Sequence, residues 1–166
     1  NWLSKWTMTD GTRYYEGKAL DAEDPAPAEP DKAENFVTRL YQNVLNRTPD
    51  SDGRNAWVKV LKNGTNGGEE VAKGFIFSDE YSKKDTSNDA FVEMLYLTLL
   101  DRPSDATGKN AWVAQLDKGE ASREQIVEGF IHSNEFTGIC RESGIYATAA
   151  EAFASRLYTK CLDRSY

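Results

Sequence analysis

The sequence predicts an all-α fold in which tandem three- to four-helix units stack on a shared core, preceded by a short N-terminal β-hairpin or irregular segment. Three observations predict it. Residues 36 onward repeat at a constant offset of 55, each copy carries apolar residues at helical spacing, and residues 1–35 differ from both in composition.

The repeat places Phe36-Val37 and Leu40-Tyr41 on Phe91-Val92 and Leu95-Tyr96, then Leu45 and Arg47 on Leu100 and Arg102. Asp50, Gly53, Trp57 and Leu61 fall on Asp105, Gly108, Trp112 and Leu116, and Gly74-Phe75 with Ser78 and Glu80 on Gly129-Phe130 with Ser133 and Glu135, without a gap. A third copy opens at Phe153, Leu157, Tyr158, Cys161 and Arg164, displaced by seven inserted residues around Cys140–Tyr146. The organisation read from this is an aromatic-rich segment (1–20), an acidic, Pro-rich linker (21–32), repeat 1 (33–87), repeat 2 with the insertion (88–147) and the start of repeat 3 (148–166).

Within the first segment, alternating side chains flank Asp10-Gly11, a dipeptide suited to the positive φ angles of a two-residue hairpin turn. Residues 21–31 hold five acids, no base and three prolines, which makes a stiff, solvated linker. In each repeat Phe36, Leu40, Tyr41 and Val44, or Phe91, Leu95, Tyr96 and Leu99, line one helix face, and Phe153, Leu157, Tyr158 and Cys161 repeat that core stripe. The second helix carries Trp57 and Leu61, or Trp112 and Leu116, and ends before Gly64 or Gly119, where a left-handed C-cap fits. The third carries Phe75 or Phe130. Ser122 with Gln125, and Thr148 with Glu151, read as capping boxes, and Ser78 and Ser133 as N-caps of a short further turn. The repeated core is therefore Phe36, Leu40, Trp57, Leu61, Phe75, Phe91, Leu95, Trp112, Leu116 and Phe130.

Composition narrows the function. Four Trp, eight Tyr and seven Phe supply material for a core, while a net charge of −7 with no basic stripe argues against nucleic acid as a partner. No window approaches the roughly 20 apolar residues of a membrane span, so membrane insertion is not expected, and the N-terminus lacks a signal-peptide pattern, so the chain reads as a processed product or an excised fragment.

No group of residues reads as an active site, so the expectation is a protein that is not an enzyme and takes no cofactor and no metal. His132, the single histidine, matches Phe77 and reads as a packing residue; Gly67-Gly68 is an isolated pair rather than a phosphate loop. Asp50-Ser51-Asp52-Gly53 opens like a calcium loop but meets Arg54 and Leu61 where ligands are needed, so Asp50 and Asp105 read as helix N-terminal residues. Arg47 and Arg102 are expected to bond the carbonyls closing the first helix or the nearby Asp. Trp57 and Trp112 read as core rather than as sugar platforms. By contrast Trp2, Trp6, Tyr14 and Tyr15 crowd a segment too small to bury them all and are the ligand-binding candidates. Cys140 and Cys161 are either buried thiols or a disulfide. The expected disulfide would close a loop of about 20 residues, contribute on the order of 3 kcal/mol and imply an extracytoplasmic address.

The run Leu45-Asn-Arg47-Thr-Pro49-Asp50-Ser-Asp-Gly53-Arg-Asn-Ala-Trp57, with Leu61, Gly64, Val71-Ala-Lys-Gly74-Phe75 and Ser78-Asp-Glu80-Tyr81, resembles domain-of-unknown-function family 4214 over residues 33–166. This is a bacterial secreted or surface-protein domain, often in tandem and similar in pattern to phycobilisome linker domains. Ala56 and Ala111 depart from the second aromatic expected beside the Trp. The resemblance implies an exported helical module beside other domains, plausible for a Gram-positive gut or soil bacterium, and carries over no catalytic residue. Residues 6–19 are similar to a cell-wall-binding hairpin repeat in the placing of Trp6, Asp10-Gly11 and Tyr14-Tyr15. The functional expectation is a non-catalytic extracellular binding or adhesion module, secreted or on the cell surface, whose partner is a host or cell-surface protein. The alternative is a carbohydrate-binding accessory module with a glycan partner.

Overall fold

The computed structural model describes the backbone of Trp6–Thr9, Thr12–Tyr15 and Lys18–Ala19, and residues 31–161 with side chains through Thr159. The chain divides into two units, residues 1–31 and 32–166.

In the first unit, β1 (Trp6–Thr9), β2 (Thr12–Tyr15) and β3 (Lys18–Ala19) form an antiparallel sheet in that order. The register pairs Trp6 with Tyr15 and Thr9 with Thr12, as the expected hairpin requires, and Tyr14 with Ala19. Asp10, Gly11 and the linker 21–30 lie outside the described residues.

The second unit is helical. Repeat 1 comprises α1 (Lys32–Arg39), running on into a π-helical turn (Leu40–Val44), α2 (Ser51–Lys62), α3 (Gly68–Ile76) and the short α4 (Asp79–Ser82). Repeat 2 comprises α5 (Asn88–Leu99), α6 (Ala106–Asp117), α7 (Arg123–Ile131) and α8 (Asn134–Glu142), and α9 (Ala149–Cys161) opens the third copy. The capping signals act as read. Ser122 and Gln125 form the reciprocal box; Ser78 and Ser133 accept from Tyr81 N and Phe136 N; Gly64 and Gly119 take φ of 67° and 68°. The Thr148 hydroxyl accepts from Glu151 N at 3.1 Å, while the Glu151 carboxylate reaches one residue further back, to Ala147 N at 3.0 Å. The sequence reading missed how the first helices end. Asn46 (φ 56°) and Asp101 (φ 52°) reverse the chain in the left-handed region, which these residue types tolerate.

One hydrophobic cluster runs through both repeats. It joins them reciprocally. Phe136 of α8 meets Phe36 of α1 with ring centroids 6.3 Å apart, and Tyr81 of α4 meets Phe91 of α5 at 6.4 Å. Positions 81 and 136 are equivalent, as are 36 and 91, so each repeat's fourth helix covers the other's first. This is the pairing of an isologous interface, here built within one chain. Phe36, Leu40, Leu61, Phe75, Phe91, Leu95 and Phe130 are buried, whereas Trp57, Trp112 and Leu116 are only partly covered and pack on the cluster from outside. The third stripe departs from its expected core role: Phe153, Leu157 and Tyr158 are 56%, 45% and 42% exposed. In the first two copies helices 2 and 3 of the repeat cover this stripe, and among the described residues nothing equivalent follows α9.

Candidate binding site

The repeated polar residues are engaged with one another. Arg47 lies 4.8 Å over the Tyr41 ring and donates from Nε and Nη2 to the two Glu80 oxygens at 2.8 and 3.3 Å; Arg102 repeats this on Tyr96 (5.1 Å) and Glu135 (2.6 and 3.1 Å). The main partner is thus a glutamate 33 residues onward, not the helix-closing carbonyl or the nearby Asp. That distance hid it from local reading, although Arg and Glu recur together in both copies. Arg102 keeps Asp105 as a second contact at 3.9 Å. These bonds hold the Glu80 and Glu135 carboxyls below their ordinary values. Tyr41 and Tyr96 stand edge-on to Phe75 and Phe130 at 4.9 and 5.0 Å, and Trp57 and Trp112 close the group at 5.5 and 5.6 Å from the same rings. Asp50 and Asp105 accept from Gly53 N and Gly108 N, each at 2.7 Å, as N-caps. A Cβ at Gly53 would stand 2.9 Å from the Tyr41 hydroxyl, and Gly108 meets Tyr96 in the same way, so glycine admits the tyrosine. A shallow cavity of about 150 Å³ remains between Trp112, Gly129 and Glu135.

Gly67 and Gly68 serve packing. The N–H groups of Gly68 and Glu69 donate to the carbonyls of Tyr146 and Ala147 at 2.8 and 2.9 Å, and a Cβ at Gly67 would meet the Thr148 backbone at 2.5 Å. Glu70 ties Gly67 N and Ala149 N together at 2.7 and 3.1 Å, so the start of α9 is fastened to the start of α3. In repeat 2, position 68 is Arg123, which stacks 4.6 Å over Phe91 and donates to Thr86 and Asn88.

His132 corrects its expected packing role. It caps the C-terminal end of α7 with its side chain 63% exposed and 3.0 Å from Glu128. Glu69, Glu128 and His132 have ligand atoms within 4.8 Å, but Lys73 already places its ammonium 2.7 Å from both glutamates. Cys140 is a free thiol with no exposure, close against Gly68, and burial pushes it up to about 12. The side chain of Cys161, its expected partner, lies outside the described residues, as do Trp2 and the side chains of Trp6, Tyr14 and Tyr15.

What is not repeated surrounds the insertion. A cavity of about 500 Å³ opens between α8 and α9, with Thr137 and Arg141 on one wall, Glu151 and Ser155 on the other, Tyr146 and the Gly144–Ala147 turn between them, and Lys62 from the end of α2. The insertion that builds it was legible as a break in register; its cavity was not. Among the described residues no helix is long and apolar enough to cross a membrane.

No curated protein and no solved structure matches the chain significantly. The family described as Domain of unknown function (DUF4214) matches twice, over residues 28–84 and 72–140. These two overlapping matches cover more than half of the chain and both helical repeats, and the chain belongs to that family.

Proposed function

We propose that this chain is a non-catalytic binding module of an exported bacterial protein and engages a protein on a cell surface. One observation carries the reading. The stripe Phe153, Leu157 and Tyr158 on α9 is 42–56% exposed, while its equivalents Phe36, Leu40, Tyr41 and Phe91, Leu95, Tyr96 are at most 5% exposed. Three large apolar side chains aligned on one helix support a contact made through that face, whether with further helices of the third repeat or with another protein. The exported address follows from the family resemblance.

Binding of labelled protein to intact cells tests this. Protease treatment of the cells and the substitution Leu157→Glu should each abolish binding, and glycosidase treatment should leave it intact. The reverse pattern would transfer the function to the carbohydrate reading, whose candidates are Trp2, Trp6, Tyr14 and Tyr15.

A further inference from the structure

We infer that the cleft between α8 and α9 is a binding site for a saccharide bearing a carboxylate. The inference starts from the arginines. Arg39, Arg47, Arg54, Arg102, Arg123 and Arg156 are each held by a carboxylate or a backbone carbonyl, at distances up to 3.7 Å. Arg141 alone among the described arginines has no such partner, and it stands on the wall of the 500 Å³ cavity. A guanidinium left unpaired there presents a planar fork that matches a carboxylate with two parallel hydrogen bonds.

The other walls supply what sugar hydroxyls need. Tyr146 donates to Ser155 Oγ at 3.0 Å, which leaves the serine its own proton to give to a ligand oxygen. Thr137 donates to Ser133 O at 3.2 Å and keeps its lone pairs to accept. Glu151, whose Oε2 holds Ala147 N at 3.0 Å, accepts from hydroxyl groups and repels a doubly charged phosphate. Arg141 faces the single Glu151 carboxylate across the cleft, which suits a ligand with one negative charge and several hydroxyl groups. The volume falls in the ordinary range of small-ligand sites, roughly 300–1,000 Å³. The first inter-repeat junction lacks the inserted residues, and the arginine lining its cavity of about 420 Å³, Arg123, is already engaged by Thr86 and Asn88. The saccharide site therefore belongs to the insertion. It also differs from the protein-binding stripe: Glu151 and Ser155 lie one turn apart on one face of α9, and Phe153 and Leu157 project from another.

Titration calorimetry of the whole chain with trigalacturonate and with sialyllactose, against lactose as the neutral control, tests the site. At least one acidic sugar should bind, lactose should bind at least about tenfold more weakly, and Arg141→Ala should weaken the acidic sugar by about tenfold or more with the helical circular dichroism unchanged. Arg141→Lys, which keeps charge but not the fork, should fall between. Equal binding of lactose, an Arg141→Ala variant of unaltered affinity, or no binding of either acidic sugar at millimolar concentration would each overturn the proposal. None of these results bears on the Leu157→Glu test of the α9 face.

Discussion

Lys73 and Glu128 occupy the same position in the two repeats, 55 residues apart, and they pair with each other at 2.7 Å. Contact between equivalent residues, together with reciprocal contacts between other positions, marks an axis relating the copies. The α3–α7 contact therefore lies on an internal two-fold, which also explains why Phe136 covers Phe36 and Tyr81 covers Phe91.

Equivalent leucines should differ in what they contribute. Leu95 is fully buried and Leu157 is 45% exposed. Leu95→Ala should cost about 2–5 kcal/mol through lost burial and the cavity left behind, and Leu157→Ala less than about 0.5 kcal/mol. Urea denaturation followed by circular dichroism measures both; equal costs would mean that the α9 stripe is covered.

Two glycines of α3 and its cap should respond in opposite directions. At Gly74, exposed in mid-helix, an added Cβ meets nothing within 4 Å, so Gly74→Ala should stabilise by about 0.5–1 kcal/mol through restricted unfolded-state freedom. At Gly67 the Cβ would meet the Thr148 backbone at 2.5 Å, which cannot yield without moving the start of α9. Gly67→Ala should cost about 1–3 kcal/mol. Thermal melts of the two variants beside the parent decide it.

Acid should loosen the Arg–Glu staples. Bonding to Arg47 and Arg102 lowers the folded values of Glu80 and Glu135 beneath 4.5, so these groups stabilise the fold above that value and lose the contribution as pH falls through their folded values. The melting temperature should therefore drop between pH 5 and pH 3. Glu135→Gln should shrink that drop; a drop unchanged in the variant would assign the acid sensitivity to other carboxyls.

The Cys140 thiol should be inert in the reduced native protein. Burial raises it from 9.0 to about 12, so folding favours the protonated form, and the stability this gives is complete below 9.0 and lost as pH rises toward 12. Iodoacetamide at pH 8 should label Cys140 only after denaturation, as read by peptide mass. Labelling of both cysteines in unreduced, denatured protein would exclude the expected bridge to Cys161.

Much of the fold was legible because its signals are local. The period of 55 residues, the Ser122–Gln125 box, the Gly64 and Gly119 caps and the Asp50 and Asp105 N-caps each depend on residues a few positions apart. The Arg47–Glu80 pair spans 33 residues and the Phe36–Phe136 contact spans 100, and sequence separation gives no sign of either. His132 misled because its counterpart Phe77 is aromatic, yet both sit at a helix end facing solvent, with Phe77 43% exposed.

The sequence by itself determined that the chain is a tandem of helical units and where most of their helices begin and end, since caps, stripes and glycines act over single turns. Only the tertiary structure decided that the two repeats close on each other about an axis, that the same stripe is core in α1 and α5 but exposed in α9, and that the insertion opens a cleft around an unspent arginine. Burial and pairing belong to the surroundings of a residue, and those surroundings come from segments far apart along the chain.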